Sequence, residues 1–254
     1  MPETASRLRQ RIEAVLAAAA ALGHRDRTRI NPAAWRGHLQ ALLPAPRKVR
    51  AVEHFAALPW PDAPGFYAEL CRRGGMAALA VRFAMLTAQR SGAVRLARWR
   101  EMDLSAGIWT SPAEHMKAAK PHRVPLTAEM VAILALVRPL ARGPDAVVFP
   151  GRSGFPLSDM ALSMLVRDMC GDGLGPDDPP RWRDERGRAI VVHGLRSTFR
   201  EWCRAQHVDE HVAEAALAHV DKDRVRAAYA RGDLLDQRRA VMARWSAFCA
   251  GGTS

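Results

Sequence analysis

The string Val192-His193-Gly194-Leu195-Arg196-Ser197-Thr198-Phe199-Arg200 sets a histidine and an arginine three residues apart at what reads as the start of a helix. At that spacing both side chains can face one pocket. A helix N-terminus offers free N–H groups and the positive end of a dipole, and a nearby guanidinium adds bidentate donors, so the place suits a phosphate. Alone, HxxR is common and reads more simply as a capping histidine beside a surface arginine. Downstream lie Leu217-Ala218-His219-Val220 and, ten residues after the histidine, Tyr229 within Arg226-Ala227-Ala228-Tyr229-Ala230-Arg231. A tyrosine hydroxyl can attack phosphorus and form a covalent ester. The chain has only two tyrosines, and the other, Tyr67, sits in an apolar helical pattern that predicts packing.

Other chemistries are poorly supplied. His207 and His211 stand four apart and could join His193 or His219 around a zinc ion, but no HExxH pattern accompanies them, and solvated histidines are the simpler reading. Four cysteines (Cys71, Cys170, Cys203, Cys249) show no CxxC pair, which fits structural thiols in a reducing compartment. Charge points the same way as the HxxR string. The 38 Lys and Arg against 26 Asp and Glu leave 254 residues at +12, which favours a polyanionic partner. With 48% hydrophobic residues the chain can build a sizeable core. No apolar run approaches membrane-spanning length, and the charged start lacks a secretory segment, so a cytoplasmic location is expected.

These side chains need positioning elements. Apolar spacing predicts a helix over Ala5–Leu22 that stops before Gly23, then a short helical segment from Asn31-Pro32 through Leu43. Pro44 to Pro61, with Arg47, Lys48 and Arg50, reads as a basic linker. Two helices follow over Ala63–Ala88, broken at Gly74-Gly75. Then come three β-prone stretches, Trp99–Asp103, Gly107–Ser111 and His122–Leu126, which predict a three-stranded antiparallel sheet. Thr127 caps a helix to Leu140, and Ser158 begins another through Met169. The Gly-, Pro- and Arg-rich run from Gly171 to Arg188 reads as a solvated loop. Helices are expected over Ser197–Ala205, Asp209–Ala218, Asp221–Tyr229 and Leu234–Phe248. Trp99, Trp109, Trp202 and Trp245 fall at packing positions.

Taken in order, the His193-Gly194-Leu195-Arg196, Leu217-Ala218-His219-Val220 and Ala227-Ala228-Tyr229 elements resemble the signature of the tyrosine recombinases, specifically prophage integrases of the satellite-phage type. Upstream, Thr87-Ala88-Gln89-Arg90-Ser91-Gly92 resembles the family's TxxRxGE motif, with Ala93 in the acidic position. Ala113-Glu114-His115-Met116-Lys117, ahead of His122-Arg123-Val124-Pro125-Leu126, resembles its lysine-bearing hairpin; Lys117 fits that role better than Lys120. The likeness runs from about Leu8 to Phe248 and includes Val148-Phe149-Pro150.

The resemblance implies an α+β fold, mainly α-helical: a tyrosine recombinase catalytic domain with a small three-stranded antiparallel sheet, preceded by a partial helical core-binding segment. Its expected divisions are 1–43 for the core-binding remnant, 44–61 for the linker and 62–254 for the catalytic domain, making the chain short at its N-terminus relative to the family. The implied activity is site-specific DNA recombination and integration through a covalent 3'-phosphotyrosyl intermediate, with no cofactor and no metal. Tyr229 is then the nucleophile. Arg90 and Arg196 hold the nonbridging oxygens, His219 donates a further hydrogen bond, Lys117 protonates the leaving 5' oxygen, and His193 assists proton transfer at the tyrosine. The implied partners are double-stranded DNA attachment sites and three further copies in a homo-tetramer, with the C-terminal helix packing on a neighbouring subunit and no membrane. Two alternatives stand beside this: a truncated integrase remnant acting only as a DNA-binding module, and a metal-dependent nuclease using the histidines.

Overall fold

The computed structural model describes residues 2–44, 54–116, 119–175, 177–219 and 233–252, in a chain that divides into two units, Met1–His54 and Phe55–Ser254. In the first unit the alanine-rich start winds into α1, Pro2–Ala21, and Gly23 takes the left-handed backbone (φ 81) that ends it. The helix predicted from Asn31 to Leu43 does not form. The Asn31 side-chain oxygen accepts the Ala33 N–H at 3.0 Å, its amide donates to the Glu13 carbonyl at 2.9 Å, and Gly37 is left-handed (φ 73). These local bonds compete with helix propagation, leaving only a 3-10 turn over Leu39–Ala41.

The second unit is built around one apolar helix. Gly74-Gly75 separates α2, Ala63–Arg72, from α3, Met76–Thr87, as the sequence predicts. Eight of the twelve α3 residues are buried, because α2 and three later helices surround it: α5 (Ala128–Val137), α6 (Ala161–Gly171) and α9 (Leu235–Cys249). The short α4, Ser91–Leu96, leads into the sheet.

That sheet has the expected three antiparallel strands, β1 (Met102–Asp103), β2 (Ile108–Ser111) and β3 (His122–Pro125), in sequential order, with Trp109 opposite Val124. β1 is shorter than predicted. The amides of Trp99 and Arg100 donate instead to the carbonyls of Ala146 and Pro144 at 3.1 and 2.8 Å, drawing Trp99–Glu101 into a 3-10 turn. Trp109 packs on Phe83, which also meets Phe149, at centroid distances of 5.5 and 5.4 Å. Thr127 caps α5 as predicted, its hydroxyl accepting the Met130 N–H at 3.4 Å.

The Gly171–Arg188 run is largely exposed, as expected, and is also tethered: Arg181 and the Trp182 indole N–H reach the Glu69 carboxylate at 3.2 and 3.1 Å, and Trp182 stands edge-on to Phe66. Glu69 is 4% exposed, so its charge needs these donors and Arg73 to remain inside. The C-terminal helix α9 completes the protein's own core. Trp245 is fully buried against Phe199 and Trp202, and its indole donates to the Met85 carbonyl at 3.0 Å. Truncating such a residue to alanine costs about 3–5 kcal/mol. The remaining elements, α7 (Gly194–Ala205) and α8 (Glu210–Ala216, capped by Asp209), carry the candidate site; the helix expected over Asp221–Tyr229 lies outside the described residues.

Candidate active site

Leu195, Phe199, Trp202 and Cys203 repeat at helical spacing and pull one face of α7 into the core. Arg196, one residue along from Leu195, is carried inside with them and is 5% exposed. Gly194 permits this entry. A Cβ there would stand 1.9 Å from the Ala56 carbonyl oxygen, because residues 55–58 cross the helix start. The crossing is fixed by the Val191 N–H on the Ala56 carbonyl at 3.2 Å and by the Thr198 hydroxyl on the Leu58 carbonyl at 2.8 Å. The Phe55 ring then lies 4.6 Å from that of His193.

The helix start is less of an anion site than the sequence suggests. The amides of Gly194, Leu195 and Arg196 already donate to the carbonyls of Val191, Val192 and His193, at 2.8, 3.2 and 3.3 Å. An anion placed here would therefore meet side-chain donors rather than these amides.

Arg196 is the centre of that set. One guanidinium nitrogen donates to the Ala88 carbonyl; the other donates to the Leu217 carbonyl at 2.7 Å and meets His219 Nε2 at 3.2 Å. Among the described residues it bonds no carboxylate. Burial, then the neighbouring charge of Arg90, lowers its pKa to about 9, so it still carries its charge at neutral pH.

Since Arg196 can only donate, Nε2 of His219 is the acceptor and the ring proton sits on Nδ1, 2.5 Å from Glu214 Oε2. Glu214 is itself held by Arg200 at 2.5 Å. The chain reaches this geometry through Ala218, left-handed at φ 49, which closes α8 with the His219 N–H on the Glu214 carbonyl at 3.0 Å. A non-glycine residue there costs about 1 kcal/mol. Burial depresses the His219 pKa and outweighs the raising effect of Glu214; His193 is lowered as well, by burial first and then by Arg196.

Arg90 caps α4 half-buried, its side chain makes no hydrogen bond to another described residue, and its charge is near enough to depress Arg196, His193 and His219. The position after Gly92 holds no carboxylate; Ala93 is buried there, 2% exposed. Arg90, His193, Arg196 and His219 are thus brought together from the ends of α3, α7 and α8. Lys117 and Tyr229 lie outside the described residues, and Lys120 is exposed. Tyr67 is a core residue, 5% exposed, with Arg82 over its ring. Among the described residues no group of three or more His, Cys, Asp or Glu is gathered to hold a metal ion.

Three neighbours escape a sequence reading. Glu214 reaches His219 only because the helix closes as it does. Gln89, at a variable position of its motif, is 3% exposed and bonded on several sides. His122 opens β3, lies 3.4 Å from Gln89, and is held near pKa 4, by burial first and then by Arg238.

Comparison with other proteins bears on the fold and the family. Prophage integrase IntA of Escherichia coli strain K12 is 35% identical over 164 residues, covering 64% of this chain and 36% of that protein. The integrase of Enterobacteria phage P4 is 27% identical over 262 residues, covering 96% of this chain and 54% of that protein. The chain thus spans roughly a third to a half of the length of these relatives. Among solved structures, a lambda integrase dimer bound to a COC' core site superposes with a TM-score of 0.59 at 20% identity, covering 91% of this chain and 60% of that one. A lambda integrase tetramer bound to a Holliday junction gives the same TM-score at 19% identity, over 87% and 60% of the two chains. No described helix is long and apolar enough to cross a membrane. The family model for the phage integrases matches residues 67–234, a span that runs from the core of α2 through every candidate site residue, and the chain belongs to that family.

Proposed function

We propose that the chain breaks and rejoins DNA as a tyrosine recombinase, through a covalent 3'-phosphotyrosyl intermediate at Tyr229. The observation that carries this is Arg196: a buried cation beside a second arginine, bonded to neutral acceptors. Burying a charge without a counter-ion is unfavourable, and a phosphodiester bridging Arg196 and Arg90 supplies the missing anion. Both guanidiniums then neutralise the charge that grows on the nonbridging oxygens in the pentavalent transition state.

His219 takes part through its proton. With a phosphate oxygen drawing the Arg196 N–H away, Nε2 is free to be protonated, and Glu214 stabilises the imidazolium, so His219 becomes a donor to the same oxygen. The Tyr229 oxygen attacks phosphorus, the 5' oxygen leaves with a proton from Lys117, and His193 assists removal of the tyrosine proton. Attack by a second 5'-hydroxyl on the phosphotyrosine reverses the chemistry and completes strand exchange. One phosphoester is traded for another, so the step draws on no external energy source. The partners are double-stranded attachment sites, with a homo-tetramer across two duplexes as the working assembly; the lambda integrase structures with dimers and a tetramer on DNA support that reading. Residues 62–254 form the catalytic domain in this reading, residues 1–43 a core-binding segment and 44–61 the linker.

The test is a suicide duplex whose cleaved end diffuses away. The wild-type chain should yield a protein–DNA adduct stable to SDS and insensitive to EDTA, and Tyr229→Phe should yield none. An adduct that survives in Tyr229→Phe, or cleavage abolished by EDTA, would overturn the assignment.

A further inference from the structure

Two bridges join the segment that ends in Arg90 to the segment that ends in His219, and only one of them uses a proposed phosphate ligand. The first is Arg196, spanning the carbonyls of Ala88 and Leu217. The second lies one residue along on each side. The Gln89 amide nitrogen donates to the Thr87 carbonyl at 3.2 Å and to the Ala216 carbonyl at 2.8 Å. The same nitrogen lies 3.4 Å from His122 Nε2, at the start of β3. Gln89 is 3% exposed, so these bonds are made away from competing water.

The bridges differ in what a bound phosphate does to them. A phosphate in the site competes for the Arg196 guanidinium, since a charge-assisted bond to an oxyanion is stronger than one to a carbonyl. The Gln89 amide is neutral, buried and turned to the backbone, so an anion does not recruit it. We propose that Gln89 is a positioning residue for the transesterification, whose amide keeps Arg90 and His219 at their working separation while Arg196 is engaged with the phosphate. This rests on the proposed phosphate site but assigns Gln89 no contact with DNA.

The test compares Gln89→Met, which keeps the shape and removes the donor, with Ser246→Ala. Ser246 is buried and bonded to the Thr127 hydroxyl at 2.9 Å, outside the site, so its loss controls for a general drop in stability. Both variants should melt at a lower temperature than the wild type. In Gln89→Met, single-turnover cleavage of the suicide duplex should fall about tenfold or more, as displaced catalytic groups do. Its Kd for an uncleavable duplex, measured in the Tyr229→Phe background, should stay within about twofold. Ser246→Ala should change neither quantity. A readout that needs no cleavage is the NMR titration of the His219 imidazole in the full chain. It should move upward in Gln89→Met, toward the ordinary histidine value of about 6.5, and stay put in Ser246→Ala. Wild-type cleavage by Gln89→Met, a rate loss matched by weaker DNA binding or by Ser246→Ala, or an unmoved His219 titration overturns the proposal. Should the wild-type chain form no adduct at all, the recombinase reading fails, and the His219 titration still decides whether Gln89 fixes that geometry.

Discussion

Among the described residues Arg196 and Arg238 are the two deeply buried arginines, 5% and 1% exposed, and the protein treats them oppositely. Arg238, in α9, has a carboxylate: its guanidinium lies 3.0 Å from Asp233, which also takes two bonds from Arg123 at 2.7 and 2.8 Å, and it donates to the Arg123 carbonyl at 2.5 Å. Arg196 has carbonyls, a histidine, and Arg90 nearby. The carboxylate whose charge reaches it, Glu214, is bonded to His219 and Arg200 instead. A buried cation with a carboxylate beside it fixes structure, whereas one left with neutral acceptors fits the proposal that its anion comes from outside.

The sharpest way to break this contrast is to remove each charge. Arg196→Met should lower single-turnover DNA cleavage about a thousandfold, the scale of losing one transition-state donor. Its stability to urea should change by no more than about 1 kcal/mol, since a buried charge without a counter-ion is removed along with its hydrogen bonds. Asp233→Asn should do the reverse. It strands Arg238 in the core and should cost about 3 kcal/mol in urea denaturation, while a DNA-binding assay registers little. Equal stability losses in the two variants would erase the distinction.

His122 sits between the two regions and feels both cations. Burial, then Arg238, then Arg196 among the charges, lower its pKa to about 4. The folded value lies below the unfolded one of about 6.5, so the unfolded chain binds the proton first. Stability is therefore complete above pH 6.5 and falls as the pH drops toward 4, by up to about 3 kcal/mol. His122→Gln should flatten that acid slope in denaturant titrations; an unchanged slope would place the acid sensitivity elsewhere. Asp233 has the same sign at lower pH. Its carboxyl is depressed chiefly by its bond to Arg123, so its contribution is present above the ordinary carboxylate range and lost as the pH falls through its lowered value. The smallest expected effect is at Glu214. Glu214→Gln weakens the support for a charged His219 and should slow cleavage about ten- to a hundredfold, leaving the melting temperature nearly unaltered.

Much of the second unit was legible in the sequence because its signals are local. Gly74-Gly75 breaks a helix by lacking side chains, Thr127 caps one with its hydroxyl, and strand alternation places Trp109 and Val124 on the core face. The HxxR and LAHV strings marked Arg196 and His219 by residue type and order. Where β1 fell short, long-range bonds had overridden a local tendency: the carbonyls of Pro144 and Ala146 draw residues 99–101 out of the strand, whereas at α7 the N-terminal amides are taken by carbonyls only three residues back.

What the sequence determined by itself is therefore a mainly helical frame with a small sheet and the order of the arginines and histidines for which polyanion binding is proposed. Tertiary structure decided which groups are poised and which are spoken for. No pattern of neighbours reveals that Arg196 meets Ala88 across 108 residues, that Gln89 meets Ala216 across 127, or that Arg238 has Asp233 to neutralise it. A buried charge takes its role from the partners around it, and packing brings those partners together from parts of the chain that share no local signal.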